Sequence, residues 1–197
     1  MSENRLHRVL RAVVRDLSSG SCPFAIVGGF AVSSRVEPRF TRDLDLAVTV
    51  SGDREAEELV KLLQQTRGYQ IDALVEQEAV GRLATVRLVP PGKSGVIVDL
   101  LFASSGIEPE IVESSEALEV LEGLIAKVAT VGHLIATKVL SRDDDRRPQD
   151  RVDLVGLLKA ASQEDLHQAR EALKLIRSRG FHRGKDLMAE LEALLPR

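Results

Sequence analysis

Three aspartates have the residue type and the spacing that metal binding requires. Asp43 and Asp45 stand two residues apart at the start of a predicted strand, residues 44–50. Because side chains alternate along a strand, both carboxylates should lie on one face of it. Two carboxylates that close repel each other unless a cation neutralises them. Mg²⁺ prefers such oxygen ligands, so the pair predicts a metal site.

A third carboxylate, Asp99, lies in the middle of residues 96–102, an apolar segment that also predicts a strand. A lone aspartate there should not be buried without a partner. If this strand lies beside the Asp43/Asp45 strand, the three carboxylates converge. Three carboxylates can bridge two Mg²⁺ ions, an arrangement that stabilises the attacking and leaving oxygens in phosphoryl transfer.

Two glycines upstream suggest where phosphates bind. Gly28 and Gly29 separate a short apolar strand, residues 24–27, from a predicted helix over residues 30–36. Glycine lets the backbone approach a polyphosphate closely, and a helix N-terminus favours negative charge. Arg39, Thr41 and Arg42 precede the aspartate pair and add candidate phosphate contacts.

The helices and strands that must position these residues can be predicted from the spacing of apolar residues and from glycine and proline, which end such elements. Helices are predicted over 3–18, 30–36, 53–66, 131–141, 149–160, 163–177 and 185–195, and strands over 24–27, 44–50, 69–74, 82–89, 96–102, 118–121 and 124–128. Ser162 and Asp165 predict a capping box. This order predicts an α+β fold: a mixed sheet flanked by helices over residues 1–130, followed by a C-terminal helical subdomain over residues 131–197.

Composition narrows the class of protein. The 197 residues carry a net charge of −3 and are 44% hydrophobic, which argues against a protein that coats nucleic acid. The one cysteine, Cys22, permits no disulfide framework. No apolar run approaches the ~18 residues of a membrane span, and the charged N-terminal segment does not resemble a signal peptide. We therefore expect a cytoplasmic protein with no membrane partner.

The motif as a whole resembles that of a known superfamily. Gly28-Gly29, a gap of 13 residues (30–42) and Asp43-Leu44-Asp45-Leu46 are similar to the signature of the polymerase-β-like nucleotidyltransferases. The Gly-Gly-x-Ala start and the Arg-x-Thr-x-Asp-Leu-Asp-Leu continuation most resemble the AbiEii/AbiGii-type toxin branch. The resemblance is specific over about residues 24–50 and places Asp99 at the third carboxylate.

A second, weaker stretch of resemblance lies in the C-terminal helices. Residues 134–138, ending in Lys138, and residues 148–154, containing Asp150, are similar to that branch's lysine-bearing helix and following acidic segment. The resemblance implies that Lys138 neutralises triphosphate charge and that Asp150 supports the site. Gln149 stands where the branch usually has a basic residue.

The resemblance also implies a reaction. It is transfer of a nucleoside monophosphate from a nucleoside triphosphate, such as ATP, to an acceptor, with two Mg²⁺ ions or Mn²⁺ in their place. Asp43 and Asp45 would bind both ions, and Asp99 would bind the catalytic one and take the acceptor's proton. The acceptor would be tRNA or a protein, and the chain would be the bacterial toxin of a toxin–antitoxin pair with an antitoxin partner.

Two alternatives stay open at this point. The same core modifies small molecules such as aminoglycosides, which would need an acidic pocket rather than a basic channel for RNA. The other alternative is a nucleotide-binding module that has lost catalysis, which the retention of all three aspartates disfavours.

Overall fold

A computed structural model describes residues 4–20, 22–37, 41–77, 81–92, 94–146 and 148–195. Its centre is a mixed seven-stranded sheet with the order β3-β4-β5-β2-β1-β7-β6. The strands are β1 (Phe24–Val27), β2 (Asp43–Val48), β3 (Gln70–Gln77), β4 (Arg82–Val89), β5 (Ile97–Leu101), β6 (Glu116–Leu121) and β7 (Leu124–Val128). The helices are α1 (Arg5–Ser18), α2 (Gly28–Arg35), α3 (Asp53–Arg67), α4 (Glu108–Glu113), α5 (Val131–Ser141), α6 (Pro148–Ala160), α7 (Gln163–Ser178) and α8 (Leu187–Glu192). The predicted α+β class, a mixed sheet flanked by helices, is confirmed.

The central strands alternate between two faces of the sheet. β2 runs parallel to β5 and antiparallel to β1, while β4 runs antiparallel to β5. On β2 the intervening residues Leu44 and Leu46 are fully buried, as are Val98 and Leu100 on β5. Since alternation sends their neighbours to the opposite face, the aspartates of β2 and β5 share that face.

The N-terminal helix follows from its sequence pattern. Asn4 caps α1 by accepting a hydrogen bond from the Leu6 backbone N–H at 3.1 Å. The apolar residues recur at helical spacing and are buried, and they are Leu6, Val9, Leu10, Val13, Val14 and Leu17. The helix contacts the end of α3, where Arg67 Nε lies 3.6 Å from Asp16, and the β6–β7 turn, where Arg11 donates to the Glu122 carbonyl.

The C-terminal helices pack on one another and on the sheet domain. α5 contacts α6, α7 and α8, and α2 contacts both α5 and α6. Thr130 caps α5 through the His133 N–H, and Ser162 and Asp165 form the predicted capping box of α7, which is confirmed. One continuous set of buried apolar residues joins these helices to the sheet.

Several strands end at other residues than predicted, β3 most clearly, since it is Gln70–Gln77 rather than 69–74. Three helices differ as well. α2 begins at Gly28 itself, because glycine supplies the φ of +63° needed directly after β1. Helix α4 was not predicted, since six residues are too few to show a period. α8 is shorter than the predicted 185–195 because Asp186 caps it. Among the described residues, no helix has the length and apolarity that crossing a bilayer requires.

Candidate active site

A cleft of about 300 Å³ lies between the sheet and the C-terminal helices. Of the residues predicted from sequence, four line it: Gly28, Asp45, Asp99 and Lys138. The structure adds further polar lining residues, and they are Thr85, Arg87, Ser104, Ser105, Glu108, Thr137, Ser141 and Arg183. The cleft therefore brings together residues from the two halves of the chain.

The floor of the cleft carries Asp45 and Asp99, one from each of two parallel strands, and Asp43 lies beside the lining. Asp45 on β2 is the register partner of Asp99 on β5. Asp43 lies two residues earlier on β2, on the same face, and is exposed, whereas Asp99 is 7% exposed. Neighbouring strands lie about 4.8 Å apart and residues i and i+2 about 6.7 Å apart, so the three carboxylates occupy one corner of the sheet.

Gly28 positions Asp45. A Cβ atom at residue 28 would lie 1.9 Å from Asp45 Oδ2, and the glycine has a φ of +63°. Because of the close approach and the positive φ, any residue type other than glycine would be strained at this position. The turn from β1 into α2 therefore depends on glycine at this position, and the Asp45 carboxylate packs directly against it.

Arg87 is a site residue that the sequence analysis missed. It is the antiparallel register partner of Asp99, on β4. Its Nε and Nη2 atoms donate to the two Asp99 oxygens at 2.9 and 2.8 Å. These hydrogen bonds, with the charges of Asp99, Asp43 and Asp72, raise the pKa of the Arg87 guanidinium. The alternation of side chains along β4 could have indicated which face Arg87 lies on, but the sequence does not show which strand pairs with β4.

The donor set fits one divalent ion better than two. Asp43 and Asp45 offer carboxylate oxygens from one face of β2, which suits Mg²⁺. Both oxygens of Asp99 already accept from Arg87. Within the described part of the chain, no three His, Cys, Asp or Glu side chains are grouped as a metal site. The second predicted ion is therefore without a ready ligand on β5.

The wall opposite the sheet carries a buried ionic cluster. Lys138 Nζ on α5 lies 2.6 Å from Asp150 Oδ1 and 2.8 Å from Asp153 Oδ2, both on α6. Asp150 also accepts a hydrogen bond from Ser141 Oγ at 2.9 Å. The three ionic side chains are 10%, 4% and 1% exposed. Asp150 thus holds Lys138 in place, and Asp153 is a second partner that the sequence analysis did not name.

The remaining predicted residues lie beside the cleft or outside the described residues. Gly29 is buried in the first turn of α2, where its carbonyl accepts from Ser33. Thr41 precedes β2 and its Oγ1 lies 3.3 Å from the Asp43 carbonyl. Arg39 lies outside the described residues. None of these positions tests the predicted contacts with phosphate.

Two further residues shape the rim of the cleft. Glu108, 1% exposed, accepts hydrogen bonds from the backbone N–H groups of Ser104, Ser105 and Gly106. These bonds hold the loop after β5. Arg183 has a φ of +53°, unusual for a residue with a side chain, and donates to the Ser104 carbonyl at 3.2 Å. No sequence pattern pointed to either residue.

Comparison with known proteins identifies the family of this chain. The family model described as nucleotidyl transferase AbiEii toxin, Type IV TA system, matches residues 8–196. A search of curated protein sequences finds no match.

Solved structures share the fold. An antigenic nucleotidyltransferase-like protein from Paracoccidioides brasiliensis superposes with a TM-score of 0.55 and 23% identity, over 98% of this chain and 94% of that one. ANT(2")-Ia, in complex with adenylyl-2"-tobramycin, superposes with a TM-score of 0.53 and 17% identity, over 87% of this chain and 97% of that one. At these identities the likeness concerns the fold.

Proposed function

Because this chain belongs to the AbiEii family of nucleotidyl transferase toxins, we propose that it moves a nucleoside monophosphate from a nucleoside triphosphate to a macromolecular acceptor, in a reaction that depends on Mg²⁺. One observation supports this most strongly. Asp45 and Asp99 are register partners on parallel strands, with Asp43 on the same face, at the floor of a cleft whose far wall carries Lys138.

In this proposal Asp43 and Asp45 hold the divalent ion. The ion, when bound, would polarise the phosphate under attack and lower the pKa of the acceptor group. Asp45 is held against Gly28, so its carboxylate is placed before the substrates arrive. The predicted roles of Asp99, ligand of a second ion and base for the acceptor's proton, stay predictions that the Arg87 contact makes harder to fulfil.

The triphosphate would lie between the sheet and α5. The N-terminus of α2 begins at Gly28 in the cleft wall, and the free N–H groups of a helix start favour anions. Lys138 faces the same cleft, and its ammonium group has three donors, of which Asp150 and Asp153 account for two. The third can meet a phosphate oxygen. Arg39 and Thr41 remain predicted contacts.

The charges of the cleft disfavour an aminoglycoside as the acceptor. The lining acids are Asp45, Asp99 and Glu108, and the lining bases are Arg87, Lys138 and Arg183. Asp99 is paired with Arg87, and Glu108 is satisfied by the backbone of its loop. A polycationic drug would need a surplus of acids, which this lining lacks. We propose tRNA or a protein as acceptor and an antitoxin as partner.

Transfer of label tests the proposal. The purified protein is incubated with each α-labelled nucleoside triphosphate, Mg²⁺ and total tRNA, then with an aminoglycoside in place of tRNA. We expect label on tRNA or on protein. Asp45→Asn should lower the rate at least about hundredfold, the scale of losing a charge-stabilising group. Asp143→Asn, in the α5–α6 loop and outside the cleft lining, is the matched control and should leave the rate unchanged.

The alternatives give different results. Label on the aminoglycoside alone would replace the macromolecular acceptor by a small molecule. Binding of nucleotide with no transfer to any acceptor would favour a catalytically silent module. Transfer that persists in Asp45→Asn, or without divalent ions, would overturn the assignment of this site.

A further inference from the structure

The contact between Arg87 and Asp99 uses both oxygens of the carboxylate that was expected to hold a second ion. Nε and Nη2 donate at 2.9 and 2.8 Å, so the guanidinium meets the carboxylate edge to edge. This two-bond geometry is the strong form of an arginine–carboxylate contact. It is built into the sheet, because the two residues are register partners on adjacent strands.

The contact also lies in the cleft rather than beside it. Both residues line the cavity, and the Asp99 side chain is 10% exposed while that of Arg87 is 44% exposed. The carboxylate is therefore shielded and the guanidinium is open to the cleft. A divalent ion placed on Asp99 would stand a few ångströms from a guanidinium of the same sign, where repulsion is strong.

Arg87 also compensates a second acid of the site. After the larger contributions of Asp99, the charge of Asp43 helps to raise the pKa of its guanidinium, as does that of Asp72 outside the cleft lining. Arginine stays charged at every pH that a protein tolerates. One fixed positive charge thus already stands among the carboxylates that were expected to need two ions.

We infer that Arg87 serves as a fixed cation in place of the second metal ion, so that the site binds a single divalent ion through Asp43 and Asp45. This inference rests on the proposed function. Asp99 then acts as a positioning residue, which orients the guanidinium. Among the described residues Arg87 makes its hydrogen bonds through Nε and Nη2, which leaves Nη1 for a phosphate oxygen of the substrate.

The number of bound ions tests the inference directly. Mn²⁺ is titrated into the intact protein, alone and with a non-hydrolysable nucleoside triphosphate, and bound Mn²⁺ is counted by electron paramagnetic resonance. We expect one ion per chain. Asp45→Asn should weaken Mn²⁺ binding by more than about tenfold, whereas Asp99→Asn should change it less than Asp45→Asn does.

Variants of Arg87 sharpen the test. Arg87→Gln frees the Asp99 carboxylate and should allow a second Mn²⁺ to bind. Arg87→Lys keeps the charge and should preserve the count of one. Arg82→Gln is the matched control, since Arg82 is on the same strand but pairs with Asp53 outside the cleft lining. Thermal melts of all variants establish that they are folded.

The outcomes separate the two proposals. Two Mn²⁺ ions per wild-type chain, or an Asp99→Asn variant that loses Mn²⁺ as fully as Asp45→Asn, would overturn the role of Arg87 while leaving label transfer intact. A count that stays at one in Arg87→Gln would overturn it as well. No Mn²⁺ binding and no label transfer by the wild-type protein would instead sink the proposed function.

Discussion

Two ionic groups face each other across the cleft, and they differ in burial. The strand group is Arg87 with Asp99, whose side chains are 44% and 10% exposed. The helix group is Lys138 with Asp150 and Asp153, whose side chains are 10%, 4% and 1% exposed. Both unite a cation with carboxylates at hydrogen-bond distance. Only in the helix group is every member 10% exposed or less.

This difference separates two uses of charge. A buried ionic group has lost its hydration, so removing one member leaves an uncompensated charge that destabilises the fold. A pair with one half-exposed member keeps part of its hydration on that side and contributes less to folding. The helix group therefore holds α5 to α6 and fixes the position of the Lys138 ammonium in the cleft wall. The strand group instead leaves the Arg87 guanidinium accessible to a ligand.

The largest effect is expected from the helix group. Lys138→Met removes the ammonium that lies within 2.8 Å of both buried carboxylates, Asp150 and Asp153, and should lower the free energy of unfolding by about 3–5 kcal/mol. Urea denaturation followed by circular dichroism measures it. Lys174→Met, on the exposed face of α7 with Glu171 as its partner, is the control and should unfold like the wild type. Equal stability of the two variants would show that the helix group does not hold the fold.

An intermediate effect is expected on the strand side, at Gly28. Gly28→Ala forces a side chain into a positive φ and against the Asp45 carboxylate. The backbone term alone is about 1–2 kcal/mol, and we expect the total loss in unfolding free energy to exceed it. Label transfer should fall as well, because Asp45 must move.

Gly123→Ala is the matched control for Gly28. Gly123 has a φ of +70° in the β6–β7 turn, and nothing lies within 4 Å of its added Cβ. It should lose only the backbone term and keep full transfer activity. If Gly28→Ala matched Gly123→Ala in both unfolding free energy and label transfer, the contact between Gly28 and Asp45 would matter neither for stability nor for activity.

The smallest effect is expected at the strand group itself. Arg87→Gln should lower the free energy of unfolding by about 1 kcal/mol, because the guanidinium is the cleft-facing, half-exposed member and its removal lets water reach the Asp99 carboxylate. The double variant Arg87→Gln/Asp99→Asn should recover part of that loss in urea denaturation. A loss as large as that of Lys138→Met would contradict the distinction between the two groups.

The helices and strands of the site could be predicted from the sequence because the patterns that indicate them lie within a few neighbouring residues. The bounds of β1 and β7 were predicted to the residue, and the apolar spacing of α1 and the capping box of α7 were read correctly. Arg87 and Asp153 could not be predicted as site residues. Each acquires its role from a partner on another strand or helix, and no spacing along the chain announces that partner.

The sequence by itself determined that Asp43 and Asp45 share a face, because alternation along a strand is a property of the backbone. It also determined that β1 ends where Gly28 begins, because glycine adopts at low cost the positive φ found there. Only the tertiary structure decided that β5 lies beside β2 in the register that pairs Asp99 with Asp45, and that β4 brings Arg87 to Asp99. Strand order and register are set by long-range packing of the sheet, so the charge balance of the cleft follows from the fold rather than from the motif.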